Sequence, residues 1–165
     1  MVVEIREARP EEYAETGVVT ADAYREFFAD AGVDLRSYLE EIADVAGRAP
    51  RTTILVAVDD DRIIGSATLE LDGRTDEDAG PLAPDEAHIR MLGVHPDARG
   101  VGVGRHLMAE CEGRAREAGR TRVTLHTTTL MRAAREMYAS LGYQRSEDRV
   151  YPDGFVLLGY TKQLG

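Results

Sequence analysis

The amino-acid sequence predicts one α/β domain built on a mixed, mostly antiparallel sheet of six to seven strands flanked by about four helices. Three observations predict it. Segments of alternating or β-branched apolar residues are interspersed with segments whose apolar residues recur at helical spacing, the pattern of strands and helices packed in layers. A length of 165 residues suits a single domain with one substantial core. No repeat, low-complexity tract or linker interrupts the chain, so residues 1–165 read as one unit.

The elements follow in order. Val2 to Ala8 sets Val3 and Ile5 against Glu4 and Arg6, the period-two alternation of a strand, which Pro10 stops. Pro10-Glu11-Glu12 suits a helix start, and Tyr13, Val18, Ala21, Tyr24, Phe27 and Phe28 then recur at helical spacing before Gly32. A second helix is expected from Asp34, with Leu35, Tyr38, Leu39, Ile42 and Val45 on one side. Ile54 to Val58 and Ile63 to Leu71 are β-branched runs joined by Asp59-Asp60-Asp61-Arg62, hence a hairpin. Residues 73–85 are polar, carry Pro81 and Pro84, and read as an exposed loop. Ala87 to Val94 is the next strand, closed by His95-Pro96. From Arg105 to Ala118 a helix places Leu107, Met108, Cys111, Ala115 and Ala118 on one face, and Gly119 supplies its stop. Arg122 to His126 is a short strand. Leu130 to Leu141 is a helix with Leu130, Ala134, Met137, Tyr138 and Leu141 inward, closed by Gly142. Tyr143 to Tyr151 and Phe155 to Gln163 finish the chain as strands around a Pro152-Asp153-Gly154 turn.

Composition excludes several functions. The chain carries 30 acidic and 20 basic side chains, a formal charge of −10, which disfavours nucleic acid and anionic membranes as partners. No apolar run approaches the roughly 20 residues of a membrane helix, and the N-terminus lacks the basic start and apolar core of a signal peptide. One cysteine, Cys111, can make neither an internal disulfide nor a cysteine-rich zinc site. A cytoplasmic protein is expected. The charge is uneven: residues 1–98 hold 23 acidic and 9 basic side chains, residues 99–165 hold 7 acidic and 11 basic. Such a split suits a site whose two ends handle differently charged ligands.

The stretch that carries chemistry is Leu92-Gly93-Val94-His95-Pro96-Asp97-Ala98-Arg99-Gly100-Val101-Gly102-Val103-Gly104-Arg105, a strand and a glycine-rich loop opening into a helix. Three glycines at every second position let backbone approach a ligand closely. The helix's first turn offers unpaired N–H groups and the positive end of the macrodipole. Arg99 and Arg105 add cationic side chains on either side. Together these make an anion cradle suited to a diphosphate. No Gly-Lys-Ser/Thr follows, which disfavours a nucleoside triphosphatase, and the two-and-two glycine spacing does not fit the dinucleotide fingerprint.

With this loop the sequence resembles the GNAT superfamily of acyl-CoA-dependent N-acyltransferases. The match is the family's Arg/Gln-x-x-Gly-x-Gly/Ala loop, here Arg99-Gly100-Val101-Gly102-Val103-Gly104, after the strand end Met91-Leu92-Gly93-Val94-His95-Pro96. Ala134-Arg135-Glu136-Met137-Tyr138-Ala139-Ser140-Leu141-Gly142-Tyr143 resembles the second signature, a helical Tyr four residues before Gly-aromatic. The order of elements agrees over the whole chain. The resemblance implies a GNAT-like fold whose fourth and fifth strands splay apart to admit the pantetheine arm. It implies that Leu92, Gly93 and Val94 hold the pantetheine, that Arg99, Gly100, Val101, Gly102, Val103, Gly104 and Arg105 cradle the pyrophosphate, and that Tyr138 protonates the departing thiolate. Backbone N–H near Leu92 would polarise the thioester carbonyl.

Two positions depart from the family. Asn is frequent where Met131 stands, and Glu is frequent as a base where His88 stands. Histidine titrates near neutrality and can take an amine's proton, so the exchange is chemically permissible. Glu86 and Arg90 share the face of His88 by alternation, leaving Glu86 as the alternative base. His95 and His126 close strands and His106 sits in the first turn of the loop's helix, so all rank below His88. Cys111 reads as a packing residue, and no His/Asp/Glu cluster has metal-ligand spacing, so no metal is expected. The expected function is acetyl transfer from acetyl-CoA, as co-substrate, to a primary amine by direct attack in a ternary complex. Acidic Asp76, Glu77, Asp78, Asp85 and Glu86 suggest a cationic acceptor. The alternative is a non-catalytic acyl-CoA-sensing module. A homodimer is compatible with the family resemblance.

Overall fold

The computed structural model describes residues 2–28, 36–75, 79–152 and 154–165. Its elements are β1 (Glu4–Glu7), α1 (Tyr13–Phe28), α2 (Arg36–Ala43), α3 (Val45–Arg48), β2 (Thr53–Asp59), β3 (Arg62–Glu70), β4 (Glu86–Val94), α4 (Val103–Glu117), β5 (Arg122–Thr127), α5 (Arg132–Ser140), β6 (Gln144–Val150) and β7 (Val156–Gln163). The strands form one seven-stranded sheet in the order β1-β2-β3-β4-β5-β7-β6. Every neighbouring pair is antiparallel except β4 and β5, which run parallel through the α4 crossover.

Apolar residues on the two sheet faces explain the layering. Leu55, Ala57, Leu69, Ala87, Ile89, Val123 and Leu125 pack with Leu107, Met108, Cys111 and Ala115 of α4 and Tyr138 of α5 in the larger core. Ala21, Tyr24 and Phe28 of α1 pack with Ile42 and with Met91 and Met131 in a smaller core. That second core closes because α1 and α2 approach to backbone distance: a Cβ added at Gly17 would lie 2.1 Å from the Ala43 carbonyl oxygen.

Four local features differ from the sequence expectation. The helix expected through Val45 is two helices, because Asp44 turns its side chain back to accept the Gly47 N–H at 3.0 Å and caps α3; its expected start, residues 34–35, lies outside the described residues. Val18, counted in the α1 stripe, Ala118, expected on the inner face of α4 but standing just past its end, and Leu130, expected inward, are solvent-exposed. Leu130 precedes α5, which begins only at Arg132 and therefore does not bind it to the helical period. Helix α4 begins two residues earlier than expected, bringing Gly104 and Arg105 into its first turn. The loop after β3 is tied down at its start, where Arg120 Nη2 donates to the Leu71 carbonyl at 3.2 Å and to Asp72 at 2.7 Å.

Candidate active site

Strand β4 organises the site by leaving its neighbour halfway. Glu86, Ala87, His88 and Ile89 pair with Arg122, Val123, Thr124 and Leu125 of β5; from Arg90 onward β4 has no β5 partner. The departure coincides with a bulge. On the β3 side Ser66 faces Gly93 and Thr68 faces Arg90, so Ala67 alone stands opposite Met91 and Leu92. Met91 carries the kink at φ 53°, a left-handed conformation unfavourable for an L-residue by about 1–2 kcal/mol. The cost is offset by pairing on both sides and by Met91's burial in the smaller core. The result is a gap through the sheet with a groove on each side.

One groove, about 480 Å³, lies between the end of α1, the unpaired half of β4, the glycine loop and α5. Of the residues expected to hold cofactor, Leu92, Gly93, Val94, Arg99, Gly100, Gly102, Val103, Gly104 and Arg105 line it. Val101 does not and points into solvent. Gly100 (φ 81°) and Gly102 (φ 89°) adopt conformations that favour glycine, and a Cβ at either would meet nothing within 4 Å. They face open space that a ligand can fill. The His106 N–H closes the first turn on the Gly102 carbonyl at 3.0 Å, leaving the N–H groups of Val103, Gly104 and Arg105 at the exposed helix end. The two arginines are tethered. Arg99 donates to the Ala23 carbonyl at 3.0 Å and the Val94 carbonyl at 3.3 Å, pairs with Glu26 and lies 5.0 Å over the Phe27 ring, tying the loop to the last turns of α1. Arg105 donates to Ser140 Oγ at 2.6 Å, joining α4 to α5.

The other groove, about 690 Å³, opens on the far side of the gap. Glu86, His88 and Arg90 all line it, as strand alternation predicts, and so do Thr124 and His126 of β5. Register turns the two alternative bases into one unit. His88 lies opposite Thr124. The Thr124 hydroxyl donates to Glu86 Oε2 at 2.5 Å, and the same Oγ1 stands 2.7 Å from His88 Nδ1. With its only proton given to Glu86, Thr124 accepts from His88, so His88 carries hydrogen on Nδ1 and leaves Nε2 as an acceptor. Glu86 Oε1 meanwhile accepts the Ala83 N–H at 3.1 Å. Burial holds the His88 pKa well below the ordinary histidine value, helped by His126 5.4 Å away and by Arg74 and Arg90. The ring is therefore neutral at pH 7. Sequence reading missed Thr124 and the proximity of His126 to His88: alternation within β5 groups them with Arg122, but nothing in the sequence sets that face against His88.

A profile of the acetyltransferase (GNAT) family matches residues 7–143. The chain belongs to the GNAT acetyltransferase family. Solved structures of similar fold include the PaiA N-acetyltransferase of Thermoplasma acidophilum in complex with coenzyme A, 17% identical over 99% of both chains with a TM-score of 0.78. A GCN5-related N-acetyltransferase of Rhodopseudomonas palustris is 25% identical over 99% of both chains with a TM-score of 0.70. YncA of Salmonella typhimurium with acetyl-CoA is 20% identical, covering 100% of this chain and 95% of that one, with a TM-score of 0.66. No curated protein matches in sequence.

For a GNAT acetyltransferase, the remaining residues of interest lie where the two grooves meet. Tyr24 and Met131 line both. Met131, in place of the family's frequent Asn, is buried at the start of α5 and gives this junction an apolar wall. Tyr138 lines neither groove. It is buried in the partition between them, its ring 5.9 Å from that of Tyr160, which lines the larger groove, while Ala134 and Met137 of its own helix line the smaller one. Burial raises its pKa, so the phenol keeps its proton at neutral pH. Cys111 is fully buried with its thiol pushed up to about 12 by burial, and lines neither groove.

Proposed function

We propose that this chain transfers the acetyl group of acetyl-CoA to an amine while both are bound, one in each groove. The observation that carries the reading is the gap in the sheet beyond Ile89, with a glycine-loop groove on one side, a His-Thr-Glu relay on the other, and Tyr24 and Met131 common to both. The residues fit the cofactor: Gly100, Gly102 and the first-turn N–H groups of α4 hold the pyrophosphate, and the unpaired edge of Leu92, Gly93 and Val94 holds the pantetheine. Bound there, acetyl-CoA supplies an acyl group already activated as a thioester.

The chain's own groups do the rest. His88 takes the amine's proton at Nε2, with Thr124 and Glu86 fixing its tautomer. The Leu92 N–H donates to the carbonyl oxygen as charge develops there. The family resemblance assigns the proton for the departing sulfur to Tyr138, whose helix neighbours Ala134 and Met137 line the cofactor groove. Transfer is direct, because the single cysteine is buried and protonated and so provides no acyl acceptor at either groove. Acetyl-CoA titrated by calorimetry, followed by thiol release over a panel of amines, tests the proposal. Binding of acetyl-CoA without thiol release for any amine would replace it with the non-catalytic sensing module.

Of the five acidic residues behind the expectation of a cationic acceptor, two are described, and both are engaged. Asp76, Glu77 and Asp78 lie outside the described residues. Asp85 pairs with Arg122 at 3.3 Å, and Glu86 is engaged in the relay.

A further inference from the structure

We infer that the acceptor is a compact amino acid whose carboxylate binds Arg90; this rests on the transferase reading above and names the substrate class for that same site. Arg90 lines the acceptor groove, and its guanidinium carries N–H donors in a planar fork. Its one hydrogen bond to the described residues goes to the neutral hydroxyl of Thr75. No carboxylate among the described residues lies within ion-pair distance of it. Thr75 in turn gives its own hydroxyl proton to Glu70 Oε2 at 2.9 Å and its N–H to the same oxygen at 2.6 Å. Glu70 is fully buried. Among the described residues, the network therefore aims Arg90 without neutralising it.

The surroundings add positive charge and donors. Arg74 lines the same groove, and its Nε is buried without a hydrogen bond, 3.5 Å from Glu70. Arg48, 4% exposed, gives Nε to Thr68 and Nη1 to the Glu41 carbonyl and keeps Nη2 unpartnered. Burial, and then the charge of Arg90, hold the Arg48 pKa down to about 10. His88 and His126 are held towards their neutral forms by burial. Among the described residues, the acids that line the groove are engaged or peripheral: Glu86 with Thr124 and the Ala83 N–H, Asp148 with Arg145 and the Gly159 N–H, Glu147 at the exposed rim. A part-buried cation with no counter-charge among the described residues favours a ligand that supplies one. A carboxylate matches the guanidinium fork with two parallel hydrogen bonds.

Position sets the size of the acceptor. Arg90 immediately precedes Met91, the bulge at which the grooves meet, and alternates with His88 about 7 Å away along the strand. A carboxylate on Arg90 thus leaves the amine within a few bonds of the junction, the reach of an α-amino or short ω-amino acid and not of an extended polyamine.

The test pairs each of a set of α- and ω-amino acids with its carboxamide and measures thiol release from acetyl-CoA. It also measures calorimetric binding of the same pairs to the protein saturated with coenzyme A. The acid of at least one pair is expected to exceed its amide by about 10- to 100-fold in kcat/KM, the range of a charge-assisted hydrogen bond. Arg90→Gln collapses that ratio towards one, and Arg90→Lys, which keeps charge but lacks the fork, restores part of it. Circular dichroism confirms that both variants fold. Amides or decarboxylated amines acetylated as well as the acids would overturn the carboxylate site and leave the transferase standing. If no amine releases thiol, the binding arm decides: acids bound in preference to amides, with the preference lost in Arg90→Gln, uphold the anion site, and no such preference overturns it.

Discussion

Gly102→Ala separates the binding role of the glycine loop from its role as a turn. Gly102 caps α4 at φ 89°, ψ 11°, and an added Cβ there meets no protein atom within 4 Å. The unliganded protein therefore bears only the backbone strain of a left-handed L-residue, about 1–2 kcal/mol. For a domain of this size that lowers Tm by roughly 2–8 °C. Ligand binding loses more, because the methyl occupies the space into which a phosphate must come to reach the first-turn N–H groups. Loss of one such charge-assisted bond, about 1.5–3 kcal/mol, weakens Kd by about 10- to 150-fold. Gly119 is the control: it ends the same helix at φ 79°, its added Cβ also meets nothing within 4 Å, and it lies outside both grooves. Gly119→Ala is expected to lower Tm comparably and leave acetyl-CoA affinity unchanged. Thermal melts and calorimetry on the three proteins read both quantities. Equal acetyl-CoA affinity in Gly102→Ala and Gly119→Ala would refute the cradle.

Tyr138→Phe removes the proton but keeps the ring packing against Tyr143 and Tyr160, so kcat should fall about 10²-fold or more with acetyl-CoA affinity nearly unchanged; wild-type turnover would dismiss the donor role. Thr124→Val leaves the His88 Nδ1–H without its acceptor and should cost about 10- to 100-fold in kcat/KM, with Thr124→Ser recovering most of it; a serine variant as impaired as valine would show that only packing was lost. Because burial lowers the His88 pKa, its base form is present at neutral pH and is lost only as pH falls below the ordinary histidine value of 6.5. The acid limb of kcat/KM should therefore have its midpoint below 6.5, and a midpoint above it would exclude His88 as the titrating base. The same shift predicts that stability is full above 6.5 and declines as pH drops through the lowered pKa, visible as a falling urea midpoint. Gly17→Ala forces the α1 backbone away from the Ala43 carbonyl and should destabilise by about 3 kcal/mol, read by the same urea melts; an unchanged midpoint would show that the two helices separate freely.

The net charge of −10 and the family loop were legible in the sequence because each is local: alternating glycines specify a backbone conformation wherever the chain goes, and alternation puts Glu86, His88 and Arg90 on one strand face. The order of elements along the chain, the family signature at Tyr138 and the inward face of α4 up to Ala115 are legible for the same reason, since hydrophobic period and turn residues act over a few positions. What register and packing decide was not legible. Thr124 joins Glu86 to His88 only because β5 pairs with β4 at that register across 36 positions of sequence. Arg99 carries the same charge in either reading, but only the docking of α1 against the loop commits its guanidinium to Ala23, Glu26 and Phe27 instead of leaving it mobile. Arg90 is one of 20 basic side chains in the sequence. Tertiary structure alone gives it the Thr75 hydroxyl for a partner among the described residues, because counter-charge depends on which side chains meet in space and not on how many of each sign the chain contains.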